Sequence, residues 1–108
     1  LNSMGFLDFL GIGNKVSEIE EFAKKGAIII DVRSSAEYKS GSITGSKNIP
    51  LQAIAQEIEK IKKWNKPVIA CCQSGMRSAQ ATSILKKNGI ECINGGGWSS
   101  LNNKLSAM

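Results

Sequence analysis

Unbroken apolar runs at Ile28-Ile29-Ile30 and Val68-Ile69-Ala70-Cys71 read as strands covered on both faces, since a half-exposed strand would alternate apolar with polar residues. Around them the pattern switches to helical spacing. Ser17-Glu18-Ile19-Glu20 is a capping box that opens a helix running to about Lys25, with Ile19, Phe22 and Ala23 inward and Gly26 as the stop. The strand from Ala27 to Val32 follows. Ser34-Ser35-Ala36-Glu37 is a second capping box, opening a short helix that ends before Gly41. Gly41 to Gly45 is turn-rich, and Ser46 to Ile49 is a short strand ended by Pro50. Leu51, Ile54, Ile58 and Ile61 then recur at helical spacing and predict a helix from about Leu51 to Ile61.

Pro67 opens the central strand, and Arg77-Ser78 begins a helix that turns Ala81, Ile84 and Leu85 inward and stops at Gly89. Ile90 to Ile93 is a last strand, Asn94 to Gly97 reads as a flexible loop, and Trp98 and Leu101 pin a terminal helix. Strands alternating with helices imply an α/β fold: a mostly parallel sheet with helices on both faces. In such a sheet Asp31 and Cys72 both fall at the carboxyl edge, where open α/β folds gather ligands. The 108 residues make one domain, expected over 16–108 behind an N-terminal extension at 1–15. Leu1-Asn2-Ser3 ahead of Met4 suggest an expression remnant, and Phe6, Leu7, Phe9 and Leu10 are expected to dock on the domain as a turn or short helix.

Charge changes this picture little. The net charge is +5, but the lysines are scattered over helix faces, with six aromatics in all and no interleaved basic–aromatic run, so no nucleic acid is expected. No segment is long or apolar enough for a membrane span, and the start lacks the basic region of a signal peptide. Three cysteines argue against a closed disulfide framework. Cys71 and Cys72 are adjacent, about 3.8 Å apart at Cα, which is short of a relaxed disulfide span. With no C-x-x-C and no histidine, no metal and no cofactor are expected, and a reducing, cytoplasmic compartment fits.

The chemistry lies in Cys72-Gln73-Ser74-Gly75-Met76-Arg77-Ser78. A cysteine aimed at a helix N-terminus meets free N–H groups and the positive end of the dipole, which lowers its pKa and supplies thiolate. Gly75 allows the torsions of an anion-cradling loop, and Gln73, Ser74, Gly75, Met76 and Arg77 are the expected substrate-binding residues. A cation at a helix start opposes the dipole, which favours Arg77 as an oxyanion ligand, with a surface salt bridge at the helix start as its alternative. With no histidine in the chain, Cys–His pairs and Ser–His–Asp triads are excluded. Cys92 and Trp98 read as core residues, with a resolving thiol and a pocket wall as their alternatives.

Cys72 to Ser78 resembles the active-site loop of the rhodanese family, C-x-x-G-x-R-S. Ile30-Asp31-Val32-Arg33-Ser34-Ser35-Ala36-Glu37-Tyr38 resembles that family's I-D-V-R-x-x-x-E-[YF]. Gly41 to Pro50 is similar to its G-H-I-x-G-A-x-N-I-P, with Ser42 where histidine is frequent, and Gly95-Gly96-Gly97-Trp98 is similar to its terminal glycine–tryptophan segment. The resemblance implies a rhodanese-like, central mostly parallel five-stranded sheet and a sulfurtransferase. Cys72 would carry sulfane sulfur, as a persulfide, from a small anionic sulfur donor, thiosulfate or a persulfide, to cyanide, a thiol or a sulfur-relay partner protein. It also implies supporting roles for Asp31, Arg33 and Glu37, the aspartate holding the loop and Arg33 pairing with Glu37. Counted from Cys71 the loop reads C-x5-R, the cradle of cysteine phosphatases and arsenate reductases, and a non-catalytic sulfur-carrier or binding module is the further alternative. Gly75 at the third place after Cys72, and the absence of any general acid in the loop, favour the sulfurtransferase.

Overall fold

A computed structural model describes residues 16–108; the expectations for Leu1-Asn2-Ser3 and for Phe6 to Leu10 lie outside the described residues. The chain runs α1 (Val16–Lys24), β1 (Ile28–Asp31), α2 (Ser35–Lys39), β2 (Lys47–Asn48), a 3₁₀ helix (Leu51–Glu57), α3 (Ile58–Trp64), β3 (Val68–Cys72), α4 (Met76–Lys87), β4 (Cys92–Gly97) and α5 (Trp98–Ser106). The strands form one parallel sheet in the order β2-β1-β3-β4. The expectation of five strands is therefore corrected: among the described residues the sheet has four. Each β-patterned stretch of the sequence supplies one strand, and the segment ahead of β1 is amphipathic and folds as α1.

Two apolar layers hold the sheet. On one face Ile30, Val32, Val68, Ala70 and Cys72 pack under Ile54, Ile58, Ile61, Ala81 and Leu85 from the 3₁₀ helix, α3 and α4. On the other, Ile69, Cys71 and Ile93 pack under Ile19 and Phe22 of α1 and Leu101 of α5. The alternation along β3 sends neighbouring residues to opposite layers, so Cys71 and Cys72 part company by a single step of the chain.

Several boundaries differ from the sequence expectation for local reasons. Ser17 lies inside α1, which already includes Val16, whereas the stop is as expected: Gly26 and Ala27 donate to the carbonyls of Ala23 and Phe22, both at 3.0 Å. The helix expected over Leu51–Ile61 begins as a 3₁₀ helix, with Ala53 N–H on the Pro50 carbonyl at 2.8 Å. Leu51 and Ile54 are three apart, a spacing that a 3₁₀ turn aligns as well as an α turn does. The supposed loop Asn94–Gly97 continues β4, with Gly96 and Gly97 paired to Cys71 and Cys72 across a register shift. Glycine is needed there because a Cβ on Gly97 would stand 2.8 Å from the Gln73 carbonyl oxygen, and one on Gly95 2.7 Å from Ile69. The end of β4 is thus the floor on which the cysteine loop lies.

Candidate active site

The loop begins where β3 ends. Gln73 and Ser74 are exposed, and Gly75 turns the chain with φ +98° and ψ −8°, a left-handed conformation that disfavours a side chain. That turn aims donors back at the Cys72 sulfur: Gly75 N–H at 3.0 Å, Ser78 N–H at 3.4 Å and Ser78 Oγ at 3.3 Å. Ser78 is the third residue of α4, and Gly75 at the N-cap offers no side chain. The sulfur therefore takes the place a capping oxygen would occupy over the first turn of the helix. Burial pushes the Cys72 thiol up, but the Ser78 hydroxyl and the N–H groups of Ser78, Gly75 and Ser74 outweigh it and leave it below the ordinary thiol value.

The other thiols are set the opposite way. Burial, reinforced by the Asp31 charge, pushes Cys71 up to about 12, and burial pushes Cys92 up to about 11. Cys92 is paired with Val68, at the far end of β3 from Cys72, and all three cysteines are free.

Ser78 and Asn94 are site residues that the sequence reading did not single out. Ser78 Oγ lies 2.7 Å from Asn94 Oδ1 as well as against the sulfur. The amide is fixed in orientation, since Nδ2 donates to the Gly75 carbonyl at 3.1 Å and Oδ1 accepts from Gly96 N–H at 3.0 Å. A hydroxyl has one proton to give, so at any moment Ser78 can donate to only one of these two acceptors. The signal for Ser78 was its place at the third position of the helix; nothing local marked Asn94. Ser78→Ala is expected to raise the thiol pKa and slow alkylation of Cys72 at pH 7 by roughly tenfold, the equivalent of ~1.5 kcal/mol for one hydrogen bond to a charged acceptor. Iodoacetamide rates across a pH series check this, and an unmoved profile would separate Ser78 from the thiolate.

The supporting residues form two ion pairs. Asp31 and Arg33 are buried, with Arg33 Nε 2.9 and 3.0 Å from the two carboxylate oxygens and Nη2 2.7 Å from Oδ2. Arg33 also donates to the carbonyls of Gly41 at 2.7 Å and Glu37 at 3.3 Å, and its guanidinium lies 4.8 Å from the Trp98 ring centre. Trp98 is thus half-buried against the core, its ring edge close against Gly41. The expected pairing of Arg33 with Glu37 is corrected here: the Glu37 carboxylate is taken by Arg77, Nη1 to Oε1 at 2.8 Å and Nη2 to Oε2 at 3.0 Å. Arg33 is drawn instead to Asp31, two residues away and fully buried.

Glu37 also closes the capping box of α2, accepting from Ser34 N–H at 3.0 Å. The Arg77 pair and the Ser34 N–H hold its carboxyl down at about 2. Of the expected substrate-binding residues, Gln73, Ser74 and Met76 stand exposed at the rim, Gly75 turns its N–H inward, and Arg77 bridges from the loop to α2. Among the described residues no group of three metal-ligating side chains comes together.

A thiol held at a strand-to-helix turn by backbone N–H groups defines a cysteine-loop α/β domain. The chain belongs to the rhodanese-like domain family, whose model matches residues 15–104. It is 42% identical over 72 residues to the uncharacterised protein YqhL of Bacillus subtilis, covering 65% of this chain and 56% of that one. To the putative mitochondrial thiosulfate sulfurtransferase of Schizosaccharomyces pombe it is 33% identical over 97 residues, 77% of this chain and 68% of the relative. Among solved structures, the rhodanese-related protein of Thermoplasma volcanium superposes with a TM-score of 0.68 at 30% identity, covering 85% of this chain and 91% of that one. The chain thus spans little more than half the length of the Bacillus relative.

Proposed function

We propose that the protein is a sulfurtransferase that carries sulfane sulfur on Cys72. The single observation behind this is the Cys72 sulfur itself, capped by Gly75 and Ser78 donors at the start of α4 and held below the ordinary thiol value. In the first half-reaction the thiolate attacks the outer sulfur of a donor, the donor's S–S bond breaks, and sulfite leaves if the donor is thiosulfate. The same donors that stabilise the thiolate then serve the terminal sulfur of the Cys72 persulfide, as preorganised dipoles do for charge developing elsewhere. In the second half-reaction a nucleophilic acceptor (cyanide in an assay, a thiol or a partner protein in the cell) takes that sulfur and returns the thiolate.

Support also comes from what the site withholds from the C-x5-R reading. Cys71 is fully buried, faces the opposite apolar layer and is pushed up to about 12. Three reduced cysteines fit a reducing compartment, and among the described residues no helix is long and apolar enough to cross a membrane.

Steady-state kinetics with thiosulfate and cyanide test the cycle. Double-reciprocal plots at several cyanide concentrations are expected to be parallel, as for a ping-pong enzyme. Intersecting lines would mean that both substrates bind before sulfur moves, and would rule out a free persulfide intermediate.

A further inference from the structure

We propose that the end of the domain opposite the cysteine loop is a docking surface for an acidic segment of a partner protein, one that carries an apolar side chain among its carboxylates. The lysines that the sequence spreads along the chain are gathered there by the fold. β1, β3 and β4 are parallel and start level, with Val68 paired to Ile28 on one side and to Cys92 on the other. The helix leading into each strand therefore ends at this one edge of the sheet. α1 ends at Lys24 with Lys25 next, α3 has Lys62 and Lys63 in its last turn with Lys66 just beyond, and α4 ends in Lys86 and Lys87. All seven are exposed. Lys66 Nζ lies 3.5 Å from where a Cβ on Gly26 would stand, so the ends of α1 and α3 adjoin.

This charge exceeds what the helix ends require. A helix C-terminus carries about half a negative charge, which one lysine more than offsets. Among the described residues Lys25 alone of the seven is in an ion pair, with Glu91 at 3.0 Å. Glu20 and Glu21 stand one turn back on α1 and temper its two lysines, so the free charge lies on α3 and α4. Over the rest of the sequence basic and acidic residues nearly balance, and the net charge of +5 therefore resides at this end.

A cavity of about 240 Å³ opens between the end of α3 and the turn after α4. Ile61, Pro67 and Ile90 form its apolar part, and Lys62, Lys66 and Glu91 its exposed part. It is smaller than the roughly 300–1,000 Å³ of ordinary small-molecule sites and suits a single inserted side chain. An apolar recess rimmed by charge is the anatomy of a protein interface. A phosphate lattice, in nucleic acid or lipid, has nothing to place in the recess and meets Glu91 as a like charge. Both arginines of the chain, whose planar forks suit phosphate, are at the cysteine site, and this end has lysine alone. The cysteine loop leaves the far end of β3, so a partner docked here keeps it open to small molecules.

Fluorescence anisotropy with a labelled peptide, one leucine flanked on each side by glutamates, tests the surface. The wild type is expected to bind it about tenfold more tightly than the same peptide with alanine in place of leucine. Lys66→Glu and Lys62→Glu are each expected to weaken binding about tenfold. Lys39→Glu makes the same change of charge on α2, at the other end of the sheet, and is expected to weaken it less than about twofold. Wild-type rates of Cys72 alkylation in all three variants show that the fold is kept. No binding by the wild type, or losses in Lys66→Glu and Lys62→Glu no greater than in Lys39→Glu, would overturn the docking surface. Equal binding of the alanine peptide, or tighter binding of a labelled DNA duplex or of phosphatidylserine vesicles, would overturn the acidic protein as its occupant.

Discussion

Cys72→Ser is expected to abolish sulfur transfer, whereas Cys71→Ser is expected to keep most of it. The two residues are neighbours in sequence but belong to different layers of the fold. Cys72 alone has its sulfur under the first turn of α4, where three donors favour the anion. Serine in its place offers an alcohol that is not deprotonated near neutral pH and cannot carry a persulfide. Cys71 is fully buried among Ile19, Phe22, Ile69 and Leu101, and its thiol stays protonated throughout the physiological range. Cys71→Ser places a hydroxyl in an apolar site, at a cost of about 1–3 kcal/mol in stability and with little effect on the loop. Turnover and urea unfolding of both variants check the pair. Loss of activity in Cys71→Ser with retention in Cys72→Ser would exchange their roles.

Arg33→Ala is expected to give the largest loss of stability. Asp31 is buried at the end of β1, and its carboxylate is matched by Arg33 through both Nε and Nη2. Removing the guanidinium leaves a buried charge uncompensated, at about 3–5 kcal/mol, against a total stability of about 5–15 kcal/mol for a domain of this kind. The Glu37 and Gly41 carbonyls lose donors as well, and the Trp98 ring loses the group beside it. Urea unfolding should show a midpoint far below that of the wild type. Replacing both charges together, as Asp31→Asn with Arg33→Met, is expected to recover part of the loss, because no lone charge then remains. A near-native midpoint for Arg33→Ala would mean that Asp31 finds other partners.

Where the pattern was local, the sequence was legible. Ile28 to Ile30 and Val68 to Cys71 read as covered strands and are strands, β3 fully buried and β1 half-buried at Ile28 and Ile29, and the Ser34 and Glu37 box appears with both of its hydrogen bonds. Gly26 and Gly75 have the left-handed torsions that their places demanded. Four β-patterned stretches made four strands, and the fifth came from resemblance alone. Three glycines in a row concealed the rest of β4, since glycine reads as loop until its partner is known; here the partner is the cysteine loop itself. The site's long-range contacts were also hidden. Glu37 meets Arg77 across forty positions of chain, and Asn94 meets Ser78 across sixteen, and no spacing rule reaches that far. Cys72 was legible because a strand, a glycine turn and a helix start in succession fix its surroundings without any distant residue.

The most direct measurement is the intact mass of the protein after prolonged incubation with excess sulfane-sulfur donor, followed by peptide mapping. The wild type and Cys71→Ser are each expected to gain the mass of one sulfur, on the peptide that carries Cys72, and to lose it again on addition of cyanide. A wild-type protein that gains no sulfur, or a Cys72→Ser variant that still gains it, would contradict a persulfide at Cys72.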